Sequence, residues 1–203
     1  AIHLLVSGGH TILILMKSLT KWKKLGETRD DAVGEAYDKV ARMLHLPYPG
    51  GPEIERLAAK GNPNAIQFPR PMINSKDFEF SFSGLKTSVL YWLRDHKQET
   101  KKQRTKNDVA ASFQQAAIDV LVSKTIRAAK KFDAKSIMLS GGVASNKALR
   151  KALQTTAYKL QTNFFAAPKK FNTDNATMIA VAAYIQYLRK KNRSIRAQAN
   201  LNL

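Results

Sequence analysis

Two short apolar runs end in the same turn, and this repeat constrains the fold more than any other feature of the 203-residue chain. The runs are His3-Leu4-Leu5-Val6, followed by Ser7-Gly8-Gly9, and Ser136-Ile137-Met138-Leu139, followed by Ser140-Gly141-Gly142. An apolar run that stops at a glycine pair is typical of a buried strand that delivers a tight turn to the end of a sheet. Because glycine has no Cβ, the N–H groups of such a turn can approach phosphate oxygens closely. Two such turns in one domain predict a nucleotide held from two sides.

The order of periodic patterns along the chain predicts an α/β fold. Residues 4–6 and 11–16 read as a hairpin around the first glycine turn. After residue 135 the pattern alternates between strand and helix, with strands at 136–139 and 163–166 and helices at 146–160 and 175–191. This alternation favours a layered α/β fold, preceded by a largely helical insertion.

The helical insertion is predicted from a separate set of patterns. Apolar residues at helical spacing occupy 30–46, 54–60 and 84–97, and a long helix follows with Asn107 as its cap. Proline and glycine predict a rigid loop over 47–52, and the prolines after residue 62 predict an extended segment over 63–76. The polar stretch 98–106 is predicted to be a mobile connection.

The charge balance favours a polyanionic partner. The chain has 34 Lys and Arg against 15 Asp and Glu, a formal charge of +19. Nucleic acid ranks ahead of a membrane surface because no amphipathic membrane helix stands out. The alternative is that the basic side chains only form solvated faces. Positive residues are spread over 17–24, 97–106, 127–135, 147–151 and 189–196, which fits a long phosphate backbone better than a small anion pocket.

Other compositional features predict a cytoplasmic protein without a membrane partner. The chain contains no cysteine, which excludes disulfides and thiolate metal sites and fits an intracellular compartment. Its most apolar stretch, 176–185, is shorter than the roughly 20 residues that span a bilayer. No basic-then-apolar leader is present. A strand pattern begins almost at Ala1, which predicts that the chain is a piece of a longer protein.

Six strings of residues resemble one known family in their order and spacing. They are Leu4-Leu5-Val6-Ser7-Gly8-Gly9-His10-Thr11, Gly26-Glu27-Thr28-Arg29-Asp30-Asp31-Ala32-Val33-Gly34-Glu35-Ala36-Tyr37-Asp38-Lys39, Pro47-Tyr48-Pro49-Gly50-Gly51-Pro52, Phe80-Ser81-Phe82-Ser83-Gly84-Leu85-Lys86-Thr87, Gly141-Gly142-Val143-Ala144-Ser145-Asn146 and Thr173-Asp174-Asn175-Ala176. The resemblance is to the TsaD family of tRNA threonylcarbamoyladenosine synthases, formerly labelled O-sialoglycoprotein endopeptidases. It extends over nearly the whole chain.

The resemblance implies a fold and an activity. The fold is an actin-like, sugar-kinase-like ATPase, of which residues 1–203 match the C-terminal lobe with a helical insertion at about 30–106. The family's N-terminal lobe, with its His-x-x-x-His pair, is missing from this chain. The activity is an acyl transfer, which moves the threonylcarbamoyl group of threonylcarbamoyl-AMP to the exocyclic amine of the adenosine adjacent to the anticodon. The chain alone is expected to be inactive.

The resemblance also implies site residues. Ten of them match substrate-binding positions: Leu5, Val6, Ser7, Gly8, Gly9, Asp38, Gly51, Gly141, Gly142 and Asn146. Amides of the glycine turns can hold phosphate or carbamoyl oxygens, and a carboxylate at Asp38 suits ribose hydroxyls. Structural alternatives stay open. The turns can be purely structural, Asp38 can be a solvated or paired acid, Gly51 can serve a turn with positive φ, and Asn146 can be a plain helix N-cap.

Three further residues are candidates for catalysis and one for metal binding. His10 adjoins the first glycine turn and could donate to the carbamoyl oxygen or simply pack there. Glu27 and Asp31 belong to an acidic cluster, and Asp31 and Glu35 are predicted to share a helical face. Asp174 matches the family's ligand for one divalent metal ion, iron or zinc by expectation. With the histidine pair missing, this chain is expected to hold an incomplete site, since such metals need three or more protein ligands.

The expected partners follow from the same resemblance. They are tRNA, an ATP-derived adenylate, and TsaB- and TsaE-like proteins if the source is bacterial; a mitochondrial matrix location applies if it is eukaryotic. Self-association of the chain is a further expectation. Stretches 97–106 and 189–196 are candidate contacts to the tRNA backbone. The alternatives are a non-catalytic scaffold lobe, another actin-like kinase, or a metalloendopeptidase, which the absence of His-Glu-x-x-His disfavours.

Overall fold

The computed structural model describes residues 1–189, which contain one five-stranded mixed sheet. Its strands are β1 (Ile2–Val6), β2 (Thr11–Ser18), β3 (Lys21–Glu27), β4 (Ser136–Ser140) and β5 (Asn163–Ala166). They are arranged in the order β3-β2-β1-β4-β5. The predicted α/β layering is therefore confirmed.

The register of the central strands brings the two glycine turns together. β1 pairs antiparallel with β2 and parallel with β4, with Leu5 opposite Ser140. Because β1 and β4 run in the same direction and end at the same level, the turns that follow them emerge side by side. The predicted hairpin around the first turn and the strands at 136–139 and 163–166 are confirmed.

Six α-helices lie within the described part of the chain: α1 (Val33–Met43), α2 (Gly50–Ala58), α3 (Ser83–Asp95), α4 (Gln103–Lys131), α5 (Lys147–Lys159) and α6 (Ala176–Leu188). α1 and α4 supply much of the core beneath β1, where Leu4 and Val6 have no exposed surface. The Tyr37 ring of α1 meets the Phe113 ring of α4 edge-on, with centroids 5.0 Å apart. Burying one such large apolar side chain contributes about 1.5–3 kcal/mol to stability.

Sequence periodicity missed β3 and misplaced the start of α2. β3 lies at the sheet edge, where Lys21, Trp22 and Lys23 are all exposed, so the buried–exposed alternation of a strand is lost. The predicted rigid loop over 47–52 is wrong in its second half, because α2 begins at Gly50 with Pro49 as its N-cap. Proline and glycine are acceptable in a first helical turn, where backbone donors lack intrahelical partners.

Two predictions about the start of α4 are also wrong. Residues 98–106, predicted as a mobile connection, are largely helical, because a short 3₁₀ helix (Glu99–Lys101) leads into α4 at Gln103. Asn107 is not a cap but a buried residue inside α4, where its Oδ1 accepts a hydrogen bond from Gln103 Nε2 at 3.0 Å. The predicted helix at 175–191 is confirmed as far as Leu188, and its last two residues lie outside the described part.

We predict that the protein loses stability as the pH falls below 6.5, with His3 as one cause. His3 Nε2 lies 2.7 Å from Ser140 Oγ, across the β1–β4 pair. Burial lowers the pKa of His3 below its ordinary value of 6.5, so below that pH the unfolded chain binds a proton that the folded protein resists. Urea unfolding at several pH values should show that the free energy of unfolding falls less steeply at acidic pH in His3→Gln than in wild type. An unchanged dependence would remove His3 as a cause.

Within residues 1–189, no helix is both long and apolar enough to cross a membrane.

Candidate functional site

One cavity of about 320 Å³ lies where the two glycine turns meet α1 and α2. It is lined by Gly8, Gly34, Tyr37, Asp38, Pro49, Gly51, Pro52, Glu55, Gly142, Val143, Ser145, Asn146 and Thr173. Residues from both turns thus face one open cavity, as the sequence predicted. Five of the predicted substrate-binding residues line it, namely Gly8, Asp38, Gly51, Gly142 and Asn146.

Two glycines allow the backbone segments around the cavity to pack closely against each other. Gly141 has φ +93°, and a Cβ there would lie 2.2 Å from the carbonyl oxygen of Val6. On the other side, a Cβ on Gly34 of α1 would lie 2.5 Å from the carbonyl oxygen of Ser7. Both turns therefore depend on close backbone contacts that only glycine allows. Leu5 and Val6 belong to β1 and support the turn without lining the cavity.

Each of the two glycine turns contributes a free backbone donor to the cavity lining. Within residues 1–189, the amides of Gly8 and Gly142 have no hydrogen-bond partner, and a Cβ on either residue would meet nothing within 4 Å. By contrast, Ser7 Oγ accepts from the amides of Gly9 and His10 at 3.3 and 3.0 Å. Ser7 and Gly9 thus close the turn, while the N–H groups of Gly8 and Gly142 are left without a partner in the described residues.

The charged side chains that line the cavity are two carboxylates. Asp38 Oδ1 accepts from the amide of Gly50 at 2.8 Å, which leaves Oδ2 without a hydrogen bond in the described residues. Glu55 Oε1 accepts from the amide of Lys147 at 2.7 Å and ties α2 to the start of α5. No lysine or arginine from residues 1–189 lines the cavity. An anionic ligand would therefore depend on main-chain amides, and the carboxylates suit its hydroxyl groups.

Tyr37 and Glu55 are cavity residues that the sequence analysis missed as functional candidates. Burial raises the pKa of Tyr37, with the negative charge of Glu55 adding to the effect, so its hydroxyl stays neutral. A neutral hydroxyl can donate or accept one hydrogen bond in a polar ligand site. Tyr37 follows Gly34 by one helical turn, and this spacing on α1 was the available signal.

Asn146 has a structural role that the geometry makes explicit. Its Oδ1 caps α5 by accepting from the amide of Leu149 at 2.9 Å, and its Nδ2 donates to Gln114 Oε1 at 2.8 Å. Both polar atoms of the side chain are thus engaged inside the protein. Gly51 lies in the first turn of α2, and its φ is not positive, so the turn that the sequence allowed for it is absent.

The three candidate catalytic residues lie outside the cavity lining. His10 is exposed and sits beside Ser7, with Nδ1 3.4 Å from Ser7 Oγ. Glu27 ends β3 and pairs with Lys24 at 2.9 Å. Asp31 precedes α1, so it does not share a helical face with Glu35. Their roles in catalysis remain predictions.

Lysines hold the acidic cluster together. Lys39 Nζ lies 2.8 Å from carboxylate oxygens of both Asp31 and Glu35, and Lys86 lies 2.8 Å from the other oxygen of Asp31. Burial disfavours the ionised carboxyl of Asp31, but the hydrogen bonds from Lys39 and Lys86 outweigh it, so the pKa of Asp31 falls below its usual value. Like charges are tolerated here because cations lie between them.

Asp174 does not belong to a metal-binding cluster within the described residues. It is exposed and precedes α6, next to Thr173 of the cavity lining. Across residues 1–189, no three His, Cys, Asp or Glu side chains are grouped closely enough to hold a metal ion. A single carboxylate does not fit the coordination needs of iron or zinc, so these residues alone do not supply that site.

Comparison with known proteins matches residues 2–181 to the TsaD family model, described as tRNA N6-adenosine threonylcarbamoyltransferase. The protein of that name from Moorella thermoacetica is 51% identical over 190 residues, which cover 94% of this chain and 55% of the relative. The one from Thermosipho africanus is 50% identical over 184 residues, which cover 91% of this chain and 55% of the relative. The chain thus spans a little over half the length of these relatives. These matches confirm the resemblance seen in the motifs.

A solved structure shows the same fold at much lower identity. The crystal structure of T. kodakarensis HypF aligns with a TM-score of 0.60 and 20% sequence identity, over 84% of this chain and 21% of that chain. The likeness therefore concerns the arrangement of strands and helices.

Proposed function

Because the chain belongs to the TsaD family, we propose that it forms part of a tRNA N6-adenosine threonylcarbamoyltransferase. In this proposal the cavity holds threonylcarbamoyl-AMP, whose threonylcarbamoyl group passes to the exocyclic amine of the adenosine adjacent to the anticodon. The observation that carries the proposal is that both glycine turns and the Asp38 carboxylate line one cavity of about 320 Å³.

The chemistry of the cavity supports an acyl transfer from an adenylate. The ribose hydroxyls would donate to Asp38, and oxygens of the phosphate or carbamoyl group would accept from the amides of Gly8 and Gly142. The adenosine amine attacks the carbamoyl carbon and gives up one proton to solvent, the bond from that carbon to the phosphate oxygen breaks, and AMP leaves with the electron pair. Amide donors fixed in place stabilise the negative charge that develops on the carbamoyl oxygen.

The fold and the partners extend the proposal. The strand order and the helices after β3, β4 and β5 support assignment to the C-terminal lobe of an actin-like ATPase. The segment that the longer relatives have in addition would supply the second lobe, the metal ligands that join Asp174, and contacts to TsaB- and TsaE-like proteins. The chain alone would then bind an adenylate weakly and transfer nothing. A non-catalytic scaffold lobe is the alternative.

We predict that Gly142→Val abolishes AMP binding to the 203-residue chain in a calorimetric titration. The new side chain would project from the cavity lining beside the amide that serves the phosphate. Gly84→Val is the matched control, since Gly84 is exposed, lies outside the cavity, and would bring its Cβ only to 3.8 Å from Pro71. Equal AMP affinity in wild type and Gly142→Val would remove this cavity as the nucleotide site.

The transfer itself is tested in a chimera that joins residues 1–203 to the missing segment of the Moorella thermoacetica relative. Supplied with tRNA, threonine, bicarbonate, ATP and that organism's partner proteins, the chimera should form threonylcarbamoyladenosine, detected by mass spectrometry of the digested tRNA. The unjoined chain should form none. A folded chimera without product would contradict the proposed function, and turnover by the chain alone would contradict the need for a second lobe.

A further inference from the structure

The hairpin formed by β2 and β3 carries four lysines and no acidic residue between positions 17 and 26. They are Lys17, Lys21, Lys23 and Lys24. Lys24 pairs with Glu27 at 2.9 Å. Within residues 1–189, the other three have no carboxylate within 4.0 Å, although lysines elsewhere in the fold, such as Lys39, are paired. The hairpin therefore carries three lysines, close together in the sequence, whose positive charge no nearby carboxylate offsets.

An exposed aromatic residue alternates with these lysines along the edge strand. Trp22 lies in β3 opposite Met16, and 47% of its surface is exposed. In the described residues its ring makes no aromatic stack and carries no cation over its face, whereas Trp92 stacks on His96 at a centroid distance of 4.3 Å. Lys21 and Lys23 leave β3 on the face opposite Trp22, so the ring and these lysines meet only along the exposed edge of the strand. A nucleic acid strand that runs along this edge can stack a base on the indole while lysine side chains neutralise its phosphates, which is how proteins bind unpaired nucleic acid.

The tip of the hairpin lies at the end of β2 far from the first glycine turn, at a distance that an RNA loop can span when its adenosine approaches the cavity. β2 starts directly after the first glycine turn, and Met16 follows Thr11 by five residues. At about 3.4 Å per residue, Trp22 lies roughly 17 Å along the sheet from that turn. A tRNA adenosine brought to the mouth of the cavity, next to the bound adenylate, would leave its flanking strand within reach of the hairpin.

Protection of the sheet edge explains only part of this composition. Lysines on an edge strand discourage pairing with a second sheet, and β3 is such a strand. An exposed tryptophan works against that purpose, because it adds apolar surface at the same edge. The combination with Trp22 therefore favours a ligand-binding role.

We propose that the β2–β3 hairpin binds the unpaired loop of the RNA substrate, with Trp22 stacking on a base and Lys17, Lys21 and Lys23 contacting phosphates. The inference rests on the proposed function, since it takes tRNA as the substrate. It assigns the RNA contact to a surface that differs from stretches 97–106 and 189–196, of which the second lies largely outside the described residues.

The test uses tryptophan fluorescence. The chain has two tryptophans, so Trp92→Phe leaves Trp22 as the sole reporter. Titration with a transcribed tRNA that reads a codon beginning with A should quench Trp22 emission. Trp22→Ala should weaken binding, measured by the anisotropy of labelled tRNA, by about tenfold, whereas Trp22→Phe should retain most of the affinity.

Charge reversal tests the lysines. Lys17→Glu/Lys21→Glu/Lys23→Glu should weaken tRNA binding by roughly 100-fold at low salt and reduce the slope of log K against log salt by about two to three. The matched control is Lys60→Glu/Lys130→Glu/Lys159→Glu, which changes the net charge equally at exposed lysines without ion pairs in the described residues. Equal weakening by both triple variants would overturn the inference in favour of a general field effect.

Other outcomes separate this inference from the proposed function. No tRNA binding by the chain, or a blue shift of Trp22 emission with anionic vesicles instead of quenching by tRNA, overturns the hairpin assignment. If the chimera transfers the threonylcarbamoyl group but the hairpin variants bind tRNA normally, the hairpin assignment is overturned while the proposed function stands. Hairpin-dependent tRNA binding without any transfer by the chimera supports the hairpin and contradicts the proposed function.

Discussion

Gly141→Ala is expected to destabilise the protein by about 4 kcal/mol, from left-handed strain and a backbone collision together. The residue has φ +93°, and its Cβ would lie 2.2 Å from the carbonyl oxygen of Val6. That neighbour is main chain in the central strand of the sheet, so it cannot move aside as a flexible side chain would. Because a domain of this kind is stable by only about 5–15 kcal/mol, the loss should be plain in urea unfolding.

Gly142→Ala is the control for this change. It lies one residue further along the same turn, its φ is not positive, and its Cβ would meet nothing within 4 Å. We expect its stability to stay within about 0.5 kcal/mol of wild type. If both variants lost stability equally, the cause would be the turn sequence as a whole rather than the contact between Gly141 and Val6.

The parts of the fold that were predictable are those in which local chemistry and burial agree. The apolar runs before Gly8 and Gly141 are buried strands. Their turns can be recognised from the sequence because the glycines that provide the backbone freedom lie within the turns themselves. β3 was not predictable, since an edge strand with lysines on both faces has no apolar period. Asn107 was misjudged because its capping preference is overridden by burial beside Gln103 inside α4.

The site was predictable for residues that belong to motifs and not for residues that depend on packing. Family strings pointed to Gly8, Asp38 and Gly142, and all three line the cavity. Glu55 was missed because its position depends on how α2 meets the start of α5, a long-range contact that no local pattern encodes.

Charge is divided between two parts of the molecule. The chain carries +19 overall, yet the charged residues that line the cavity are Asp38 and Glu55. Lysines in the cavity would bind any phosphate strongly, whereas amides and carboxylates together select a ligand with both an anionic group and hydroxyls. The excess lysines on the surface act at longer range and suit a polyanion. This division is consistent with a small adenylate in the cavity and an RNA on the outside.

Asn146→Ala is the second change expected to have a large effect. We expect the free energy of unfolding to fall by about 3 kcal/mol, because the helix loses its cap and a buried side-chain amide loses its partner. Asn146 Oδ1 caps α5 by accepting from the amide of Leu149, and its Nδ2 donates to the side-chain carbonyl of Gln114, a residue that is only 8% exposed. Removing the asparagine amide leaves that carbonyl without a donor in the interior. Urea unfolding measures the loss, and Asn146→Ser should recover the share that belongs to the cap.

Asn175→Ala provides the matched control within the same chain. Asn175 caps α6 by accepting from the amide of Met178 at 3.0 Å, but its Nδ2 donates to the carbonyl of Thr173 at an exposed position. α6 has no buried residue, so fraying its first turn should change global stability by less than about 1 kcal/mol.

AMP titration of Asn146→Ser then separates the structural role of Asn146 from a role in ligand binding. Normal affinity in a stably folded variant assigns Asn146 to the cap, whereas lost affinity with retained stability assigns it to the ligand.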